Sequence, residues 1–227
     1  MVVGELTDHD ANWPNSSSMP PMERVPRTAD EEAMLLRSRP PAWEYLLFAG
    51  VLRRQMQDVE PRWRDHEIGY VVPSGQSLSD AEAVEMLSAV FGRAGALTSN
   101  VARILAPQAT EAAFGAPGQP GDPERIEHLT RRLVDVYAGL LDWAADLRGA
   151  LVSDRYRRSF EIASHVVDMP LRQIRAFVEA TVTEIDGIPA WRRKPDREPR
   201  QIELTLVLTV DEALISELNA EIARSRR

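Results

Sequence analysis

The chain has 227 residues, of which 44% are hydrophobic and 27% are charged, and its formal net charge at pH 7 is −8. These proportions are those of a globular protein, and they exclude wholesale disorder and a collagen-like chain. The absence of cysteine excludes disulfides, zinc–thiolate sites, iron–sulfur clusters and thiol nucleophiles.

The basic side chains are almost all arginine, because Lys194 is the single lysine. This bias is typical of a high-GC genome and predicts a bacterial origin. The acidic net charge argues against a chain that binds nucleic acid over most of its surface, since such domains are usually basic.

Residues 1–28 are rich in Pro, Ser and Asn and show no apolar period, which predicts a disordered N-terminal tail. They lack the apolar core of a signal peptide. The most apolar run, residues 43–52, is too short to cross a bilayer, which takes about 20 residues. We therefore expect a cytoplasmic protein that does not enter the membrane.

The first helical signals lie between residues 28 and 57. Thr28 is a suitable N-cap for a helix that ends before Pro40-Pro41. A second helix, apolar nearly all round, is predicted from Pro41 to about Gln57. Residues 58–78 are predicted to be irregular, with a short strand over Ile68–Val72.

Ser79 and Glu82 form a capping box, and apolar residues then recur every three or four positions, which predicts a helix over residues 80–106. Gly92 and Gly95 within it indicate a bend or a close approach of another helix. The many glycines and prolines of residues 107–121 predict a loop.

Asp122 and Pro123 are typical of the start of a helix, and the apolar stripe that follows predicts one over residues 123–148. Two shorter helices are predicted over 154–167 and 171–185. Asp211 is predicted to cap a final amphipathic helix.

Residues 202–210 alternate apolar and polar side chains and predict a strand with one buried face. A hairpin with residues 188–193 is the favoured partner; Ile68–Val72 and a second copy of the chain are the alternatives. The fold class is therefore mainly α: a helical bundle with a minor β element, in a single domain over residues 29–227.

The two Glu-x-x-x-His pairs, at Glu124 and His128 and at Glu161 and His165, place a carboxylate and an imidazole on one helix face. Bundle di-iron sites use a spacing of three instead of four. Two helices that fold back at about residue 151 would leave the histidines offset by roughly 13 Å along the axis. We expect no metal, no cofactor and no catalytic residue.

The triplet Asp65-His66-Glu67 is polar, but neighbouring side chains of an extended chain point in opposite directions. A ready-made catalytic dyad is therefore not expected there. No glycine-rich phosphate loop and no Gly-x-Ser-x-Gly motif occurs.

Residues 155–178 read as helix, break, helix, and resemble a helix-turn-helix, although the turn lacks glycine. Residues 150–200 hold ten basic and eight acidic side chains, a net charge of +2. The candidate contacts to nucleic acid here are Arg155, Arg157, Arg158, Arg172 and Arg175.

A second candidate contact region is Trp191, Arg192, Arg193 and Lys194, where an aromatic ring stands next to cations. Such a group suits an acidic partner, and it equally suits a hairpin end with Trp191 packed over a sheet.

Two functional hypotheses follow. The first is a non-enzymatic adaptor or accessory protein that acts through protein–protein contacts, with a protein partner or a second copy of itself. The alternative is a DNA-binding regulator that uses residues 155–178. An enzyme that works through carboxylates stays open because Asp and Glu are frequent along the chain, although no pair of them is marked out by an apolar setting.

Overall fold

A computed structural model of the protein describes residues 2–6, 24–73, 77–116, 119–192, 200–203 and 205–225. Over these residues the chain is mainly helical, as predicted. The helices are α1 (Ala29–Ser38), α2 (Trp43–Glu67), α3 (Asp80–Ile104), α4 (Pro107–Phe114), α5 (Pro123–Gly149), α6 (Asp154–His165), α7 (Asp168–Asp186), α8 (Ile188–Arg192) and α9 (Glu212–Ser225). Strands β1 (Val2–Leu6) and β2 (Arg200–Glu203) form an antiparallel pair with Gly4 opposite Ile202.

The predicted helix starts are confirmed by their capping bonds. The Thr28 hydroxyl accepts a hydrogen bond from the Glu31 amide at 3.2 Å. At α3 the Ser79 amide donates to the Glu82 carboxylate at 2.8 Å, while the Ser79 hydroxyl accepts from the Glu82 amide at 3.4 Å. Asp211 caps α9 through the amides of two residues in its first turn. Each cap satisfies an amide that a helix leaves unpaired at its start.

Helix α2 ends ten residues after the predicted end near Gln57, so the prediction of an irregular chain is wrong over residues 58–67. Pro61 lies inside the helix and cannot donate to the carbonyl four residues earlier. That carbonyl belongs to Gln57, an exposed residue of the helix. Val59 and Trp63 are buried, and their packing holds the helix beyond the proline.

The predicted loop over residues 107–121 is also wrong in its first half, where α4 forms. Helix α3 ends at Ile104, and Pro107 is the first residue of α4, a position where its missing N–H costs nothing. The side chain of Phe114 stacks on Tyr45 with 5.1 Å between ring centroids, which ties α4 to α2.

The predicted strand over residues 202–210 is wrong from residue 205 onward, and its hairpin with residues 188–193 is wrong. Residues 202 and 203 are the last two residues of β2, which pairs with β1 and with none of the predicted partners. Residues 188–192 form α8, and residues 205–211 are irregular. The alternation of burial is nevertheless present: Leu208 is 4% exposed, whereas Val207 is 63% exposed. The Thr209 amide donates to the Gln173 side chain of α7 at 2.9 Å. A helix side chain therefore accepts the hydrogen bond that a neighbouring strand was expected to accept.

Helix α3 is buried along one stripe of apolar residues, among them Leu87, Ala94 and Val101. Gly92 and Gly95 are exposed, and a Cβ built on either meets no atom within 4 Å. The interpretation of these glycines as a close helix approach is therefore wrong.

The chain groups into two compact units. The first comprises residues 1–58, 104–134 and 176–206, and the second comprises residues 59–103, 135–175 and 207–227. The largest fully buried side chains of the first unit include Leu35, Phe48, Leu52, Ile126, Leu133 and Ile185; those of the second include Leu87, Tyr137, Leu147, Ile162, Leu171 and Ile174. The single domain predicted over residues 29–227 stays a prediction.

The N-terminal segment of residues 24–28 packs within the first unit. Val25 is fully buried, and its amide donates to Asp186 of α7 at 2.9 Å. The other Asp186 oxygen accepts from Arg53 of α2 at the same distance. The prediction of a disordered tail over residues 1–28 is therefore wrong for residues 24–28, and it is also wrong for residues 2–6, which form β1. Residue 1 and residues 7–23 lie outside the described residues, so their disorder stays a prediction.

Candidate functional site

An exposed run of apolar side chains follows α2 in the second unit. Ile68, Tyr70 and Val72 are 77%, 58% and 68% exposed. We call residues 68–72 the apolar segment. They were predicted to form a short strand, but the structure shows a turn and irregular chain instead.

The turn that starts the apolar segment is held by backbone bonds. Gly69 has a φ of +70°, in the left-handed region that favours glycine. Its amide donates to the His66 carbonyl at 3.2 Å, and the Tyr70 amide donates to the Asp65 carbonyl at 2.8 Å. This pattern is a Schellman motif, which satisfies two carbonyls at the end of α2 and fixes the backbone at Tyr70.

A cleft of about 120 Å³ lies beside the apolar segment, between the end of α2 and the face of α5. Its apolar lining is formed by Tyr70, Val72, Leu141 and Ala145, and its polar lining by Arg62, Asp65, His66, Asp142 and Arg148. Arg62 and Asp142 form an ion pair at 2.6 Å. The cleft is much smaller than the roughly 300–1,000 Å³ typical of cofactor and drug-sized ligand sites.

Arg148 of α5 anchors the end of α2 at this cleft. Its Nη1 donates to the His66 carbonyl at 2.9 Å and lies 3.2 Å from Nδ1 of the His66 ring. Because a guanidinium can only donate, Nδ1 must accept, and the imidazole proton is on Nε2. Arg148 Nε also donates to the Ser164 hydroxyl of α6 at 3.4 Å.

Asp168, in the first turn of α7, contacts His66 and a second histidine. Its Oδ1 lies 2.8 Å from His66 Nε2, at ion-pair distance but without an aligned hydrogen bond, and its Oδ2 lies 2.9 Å from His165 Nδ1. Burial alone would raise the pKa of Asp168, but the contacts with His66 and His165 outweigh it and hold that pKa below its ordinary value. Both ring nitrogens of His66 therefore contact protein groups. The side chain joins the end of α2 to α5 and α7 and does not act as a free base.

Two of the arginines nominated as nucleic-acid contacts lie against Trp63 of α2. The guanidinium carbons of Arg175 and Arg172 are 5.1 Å and 5.9 Å from the Trp63 ring centroid. Arg175 also donates twice to Glu60, at 2.8 Å and 3.3 Å, and this carboxylate raises the pKa of Arg175. Burial raises the pKa of the neighbouring Tyr137 to about 12.

The other three nominated arginines of the second unit each face a carboxylate. Arg155 lies 3.8 Å from Asp80, and Arg157 pairs with Asp154. Arg158 bridges two acidic side chains, Glu161 at 2.9 Å and Glu217 at 3.0 Å.

The second candidate contact region is only partly described. Trp191 is a half-buried side chain near the end of α8, and Arg192 is the last residue of that helix. Arg193 and Lys194 lie outside the described residues. The predicted hairpin end with Trp191 over a sheet is wrong, because Trp191 is helical.

The predicted helix-turn-helix segment consists of α6, the buried residues Val166 and Val167, and α7. Part of the exposed side of α7 is covered. Gln173 Nε2 donates to the Thr209 hydroxyl at 2.6 Å, and that hydroxyl lies 3.2 Å from the Met169 sulfur. Residues one turn apart on α7 thus contact the chain that leads into α9.

The sequence interpretation missed His66, Arg148 and Asp168 as a group. His66 was placed on an extended chain, whereas the structure places it in the last turn of α2. Leu52, Met56, Val59 and Trp63 continue the apolar stripe of α2 at helical spacing, and this signal predicts a helix that reaches His66.

Of the predicted histidine pairs, His165 contacts Asp168, and Glu161 contacts Arg158. Within the described ranges, no group of three or more His, Cys, Asp or Glu side chains is arranged to hold a metal ion. No helix among the described residues combines the length and hydropathy that crossing a bilayer requires. The chain matches no protein-family model, no curated protein and no solved structure.

Proposed function

We propose that this chain is a non-enzymatic adaptor or accessory protein of the cytoplasm, and that it binds a protein partner through the apolar segment. The observation that carries the proposal is the exposure of Ile68, Tyr70 and Val72 at alternate positions of five consecutive residues. Single exposed apolar residues are ordinary on protein surfaces, but a contiguous group of them is typical of an interaction site.

The kind of side chain supports a protein partner. Tyrosine is enriched in protein interfaces, where its ring supplies contact area and its hydroxyl stays hydrogen-bonded. The Schellman motif at Gly69 fixes the backbone at Tyr70 before binding, which lowers the backbone entropy that association costs. The adjoining cleft of about 120 Å³ has room for one side chain of a partner.

The test compares a triple variant and a double variant as baits in a native lysate. The first carries Ile68→Ser, Tyr70→Ser and Val72→Ser. The matched control carries Leu151→Ser and Val207→Ser, which remove two other exposed apolar side chains of the same unit. We expect a protein that the parent and the control retain, that the triple variant loses, and that binds the purified parent directly.

If every protein captured by the parent is captured equally by the triple variant, the proposal is wrong. Light scattering on the parent and the triple variant tests the case in which the partner is a second copy of the chain. A dimer that the triple variant abolishes assigns the apolar segment to self-association.

DNA binding remains the second candidate, and the two-residue connection between α6 and α7 is the observation that favours it. Against it stand the acidic and aromatic partners of Arg155, Arg158, Arg172 and Arg175. Duplex binding that weakens steeply with salt and is lost in Arg172→Ala would favour this candidate over the first.

A further inference from the structure

We infer that the apolar segment pairs with the apolar segment of a second copy of the chain, about a twofold axis that brings opposite charges together on both sides of the contact. This inference rests on the proposed function and identifies the partner as a second copy. It is carried by the exposed side chains of the apolar segment and by the arrangement of charge around the end of α2.

The charges around the end of α2 balance. Ten charged side chains lie on residues 60–67 of α2, line the cleft, or contact these residues from α5 or α7, and five are cationic and five anionic. They are Arg62, Arg64, Arg148, Arg172 and Arg175, and Glu60, Asp65, Glu67, Asp142 and Asp168. An excess of one sign keeps copies of a chain apart, and the net charge of −8 lies entirely on the rest of the chain. The balanced surface is therefore the one better suited to contact between copies.

The side of α2 that faces α7 has one positive charge in excess. Arg175 donates twice to Glu60, which pairs those two charges. Arg64 is mostly exposed and lies 3.6 Å from the same carboxylate, which Arg175 already holds. Arg172 contacts no carboxylate among the described residues. Glu67, three residues after Arg64, is the one anion left on this side.

The side of α2 that faces α5, where the cleft lies, has one negative charge in excess. Arg62 pairs with Asp142 at 2.6 Å, and Nη2 of Arg148 lies 3.7 Å from Asp168. Asp65 lines the cleft, and no side chain in the described part of the chain pairs with it. The two sides of the end of α2 are thus of opposite sign and equal in size.

A twofold dimer matches this arrangement. Such a dimer uses the same surface on both copies, so that every contact occurs twice. An axis through the apolar segment turns the α7 side of one copy toward the α5 side of the other, so that Arg64 of each copy faces Asp65 of the other. A partner with a net charge of either sign gains attraction on one side and meets repulsion on the other. The charge pattern therefore selects a second copy.

The size of the surface indicates a weak dimer. Stable interfaces bury about 800 Å² on each partner and involve roughly 20–30 residues a side. The apolar segment supplies three large exposed apolar side chains, Ile68, Tyr70 and Val72. We therefore expect reversible association at micromolar chain concentrations.

Charge reversal at Arg64 and Asp65 tests the inference. Arg64→Glu makes both of these residues acidic, and Asp65→Arg makes both basic. Two copies of either variant place like charges together at both contacts, whereas one copy of each restores opposite charges at both. The controls Arg103→Glu and Glu85→Arg reverse two exposed charges of α3 in the same unit.

Sedimentation velocity of fluorescein-labelled chain, followed through the dye, measures association with unlabelled chain. We expect each of Arg64→Glu and Asp65→Arg to self-associate at least about fivefold more weakly than the parent, because each reversal acts twice. Labelled Arg64→Glu should bind unlabelled Asp65→Arg within about twofold of the parent's own affinity. Both controls should associate as the parent does. Far-UV circular dichroism checks that the variants are folded.

Three results overturn the inference: a parent that stays monomeric at all concentrations, reversal variants that self-associate like the parent, or a mixture that associates no better than each variant alone. The proposed function is judged separately by Ile68→Ser/Tyr70→Ser/Val72→Ser. If the parent stays monomeric while that variant loses a captured protein, the apolar segment binds a different chain, and the proposed function stands without the dimer.

Discussion

Asp168 holds two histidines with one carboxylate, since His66 and His165 approach its two oxygens at 2.8 Å and 2.9 Å. Asp168→Asn removes the charge and leaves the buried N–H of His66 without its anionic partner. We expect the free energy of unfolding to fall by about 1–3 kcal/mol, measured by urea denaturation at pH 7. Asp146→Asn, at an exposed position of α5, should change it by less than about 0.5 kcal/mol. Equal effects of the two substitutions would show that Asp168 is not a structural anchor.

The same carboxylate makes stability depend on acid pH. The pKa of Asp168 is lower in the folded protein than its ordinary value of 3.8. A depressed pKa stabilises the folded state at pH values above 3.8, and this contribution is lost as the pH falls through the folded-state pKa. The stability difference between the parent and Asp168→Asn should therefore shrink as the pH falls below about 4. Denaturation curves between neutral pH and that range measure it; a constant difference would contradict the assignment.

At the scale of the element, alanine substitutions at one glycine of α3 and one glycine of α2 are expected to change the stability of the protein in opposite directions. Gly92 of α3 has open space where a Cβ would stand, so Gly92→Ala should stabilise the protein by about 1 kcal/mol through helix propensity. A Cβ on Gly50 of α2 would lie 3.0 Å from Pro26 of the N-terminal segment. Gly50→Ala should therefore be less stable than the parent, because a clash with a buried segment outweighs the propensity gain. Thermal and urea unfolding of both variants give the two signs, and a stabilised Gly50→Ala would mean that Pro26 moves freely.

The irregular chain over residues 205–211 carries a second prediction at this scale. Leu208 is buried, and an aspartate there loses apolar burial and introduces a charge without a partner. Leu208→Asp should lower the free energy of unfolding by at least about 3 kcal/mol. Val207→Asp, one residue away and mostly exposed, should cost less than about 0.5 kcal/mol. Similar costs at the two positions would contradict the alternation of burial.

For the whole molecule, the contribution of the N-terminal segment of residues 24–28 to stability is testable by truncation. Removing residues 1–23 leaves the N-terminal segment in place, whereas removing residues 1–28 also deletes Val25 and its bond to Asp186. Because a fully buried valine contributes roughly 1.5–3 kcal/mol, the longer deletion should melt at least about 3 °C below the shorter one. Differential scanning calorimetry compares them. Both deletions remove β1, so equal melting temperatures would mean that residues 24–28 do not stabilise the protein.

Much of the helical fold was predictable, because its signals are local. The capping box at Ser79 and Glu82 and the caps at Thr28 and Asp211 are short motifs whose partners lie within a few residues. Helix α5 begins at Pro123, as its stripe and cap predict. The end of α2 was missed although its apolar stripe continues to Trp63, since Pro61 is a helix breaker by propensity. The burial of Trp63 overrides that propensity in the folded protein.

The strand was predicted wrongly because alternation of burial and strand pairing are different properties. Leu208 and Val207 alternate as a strand does, but pairing requires a neighbour that no local pattern specifies. The candidate site was missed for the same reason. His66, Arg148 and Asp168 are far apart in sequence, and only the packing of α2, α5 and α7 brings them together.

The position of Trp63 has a spectroscopic consequence. Its ring is 4% exposed and lies close to the guanidinium groups of Arg172 and Arg175 and the ring of His66. When the first turns of α7 separate from α2, the indole leaves two cations and enters water, so its emission changes in both wavelength and intensity. The other four tryptophans can be replaced by phenylalanine, which leaves Trp63 as the single fluorophore of its kind. That protein reports the opening of these two helices directly, in equilibrium and in stopped-flow experiments.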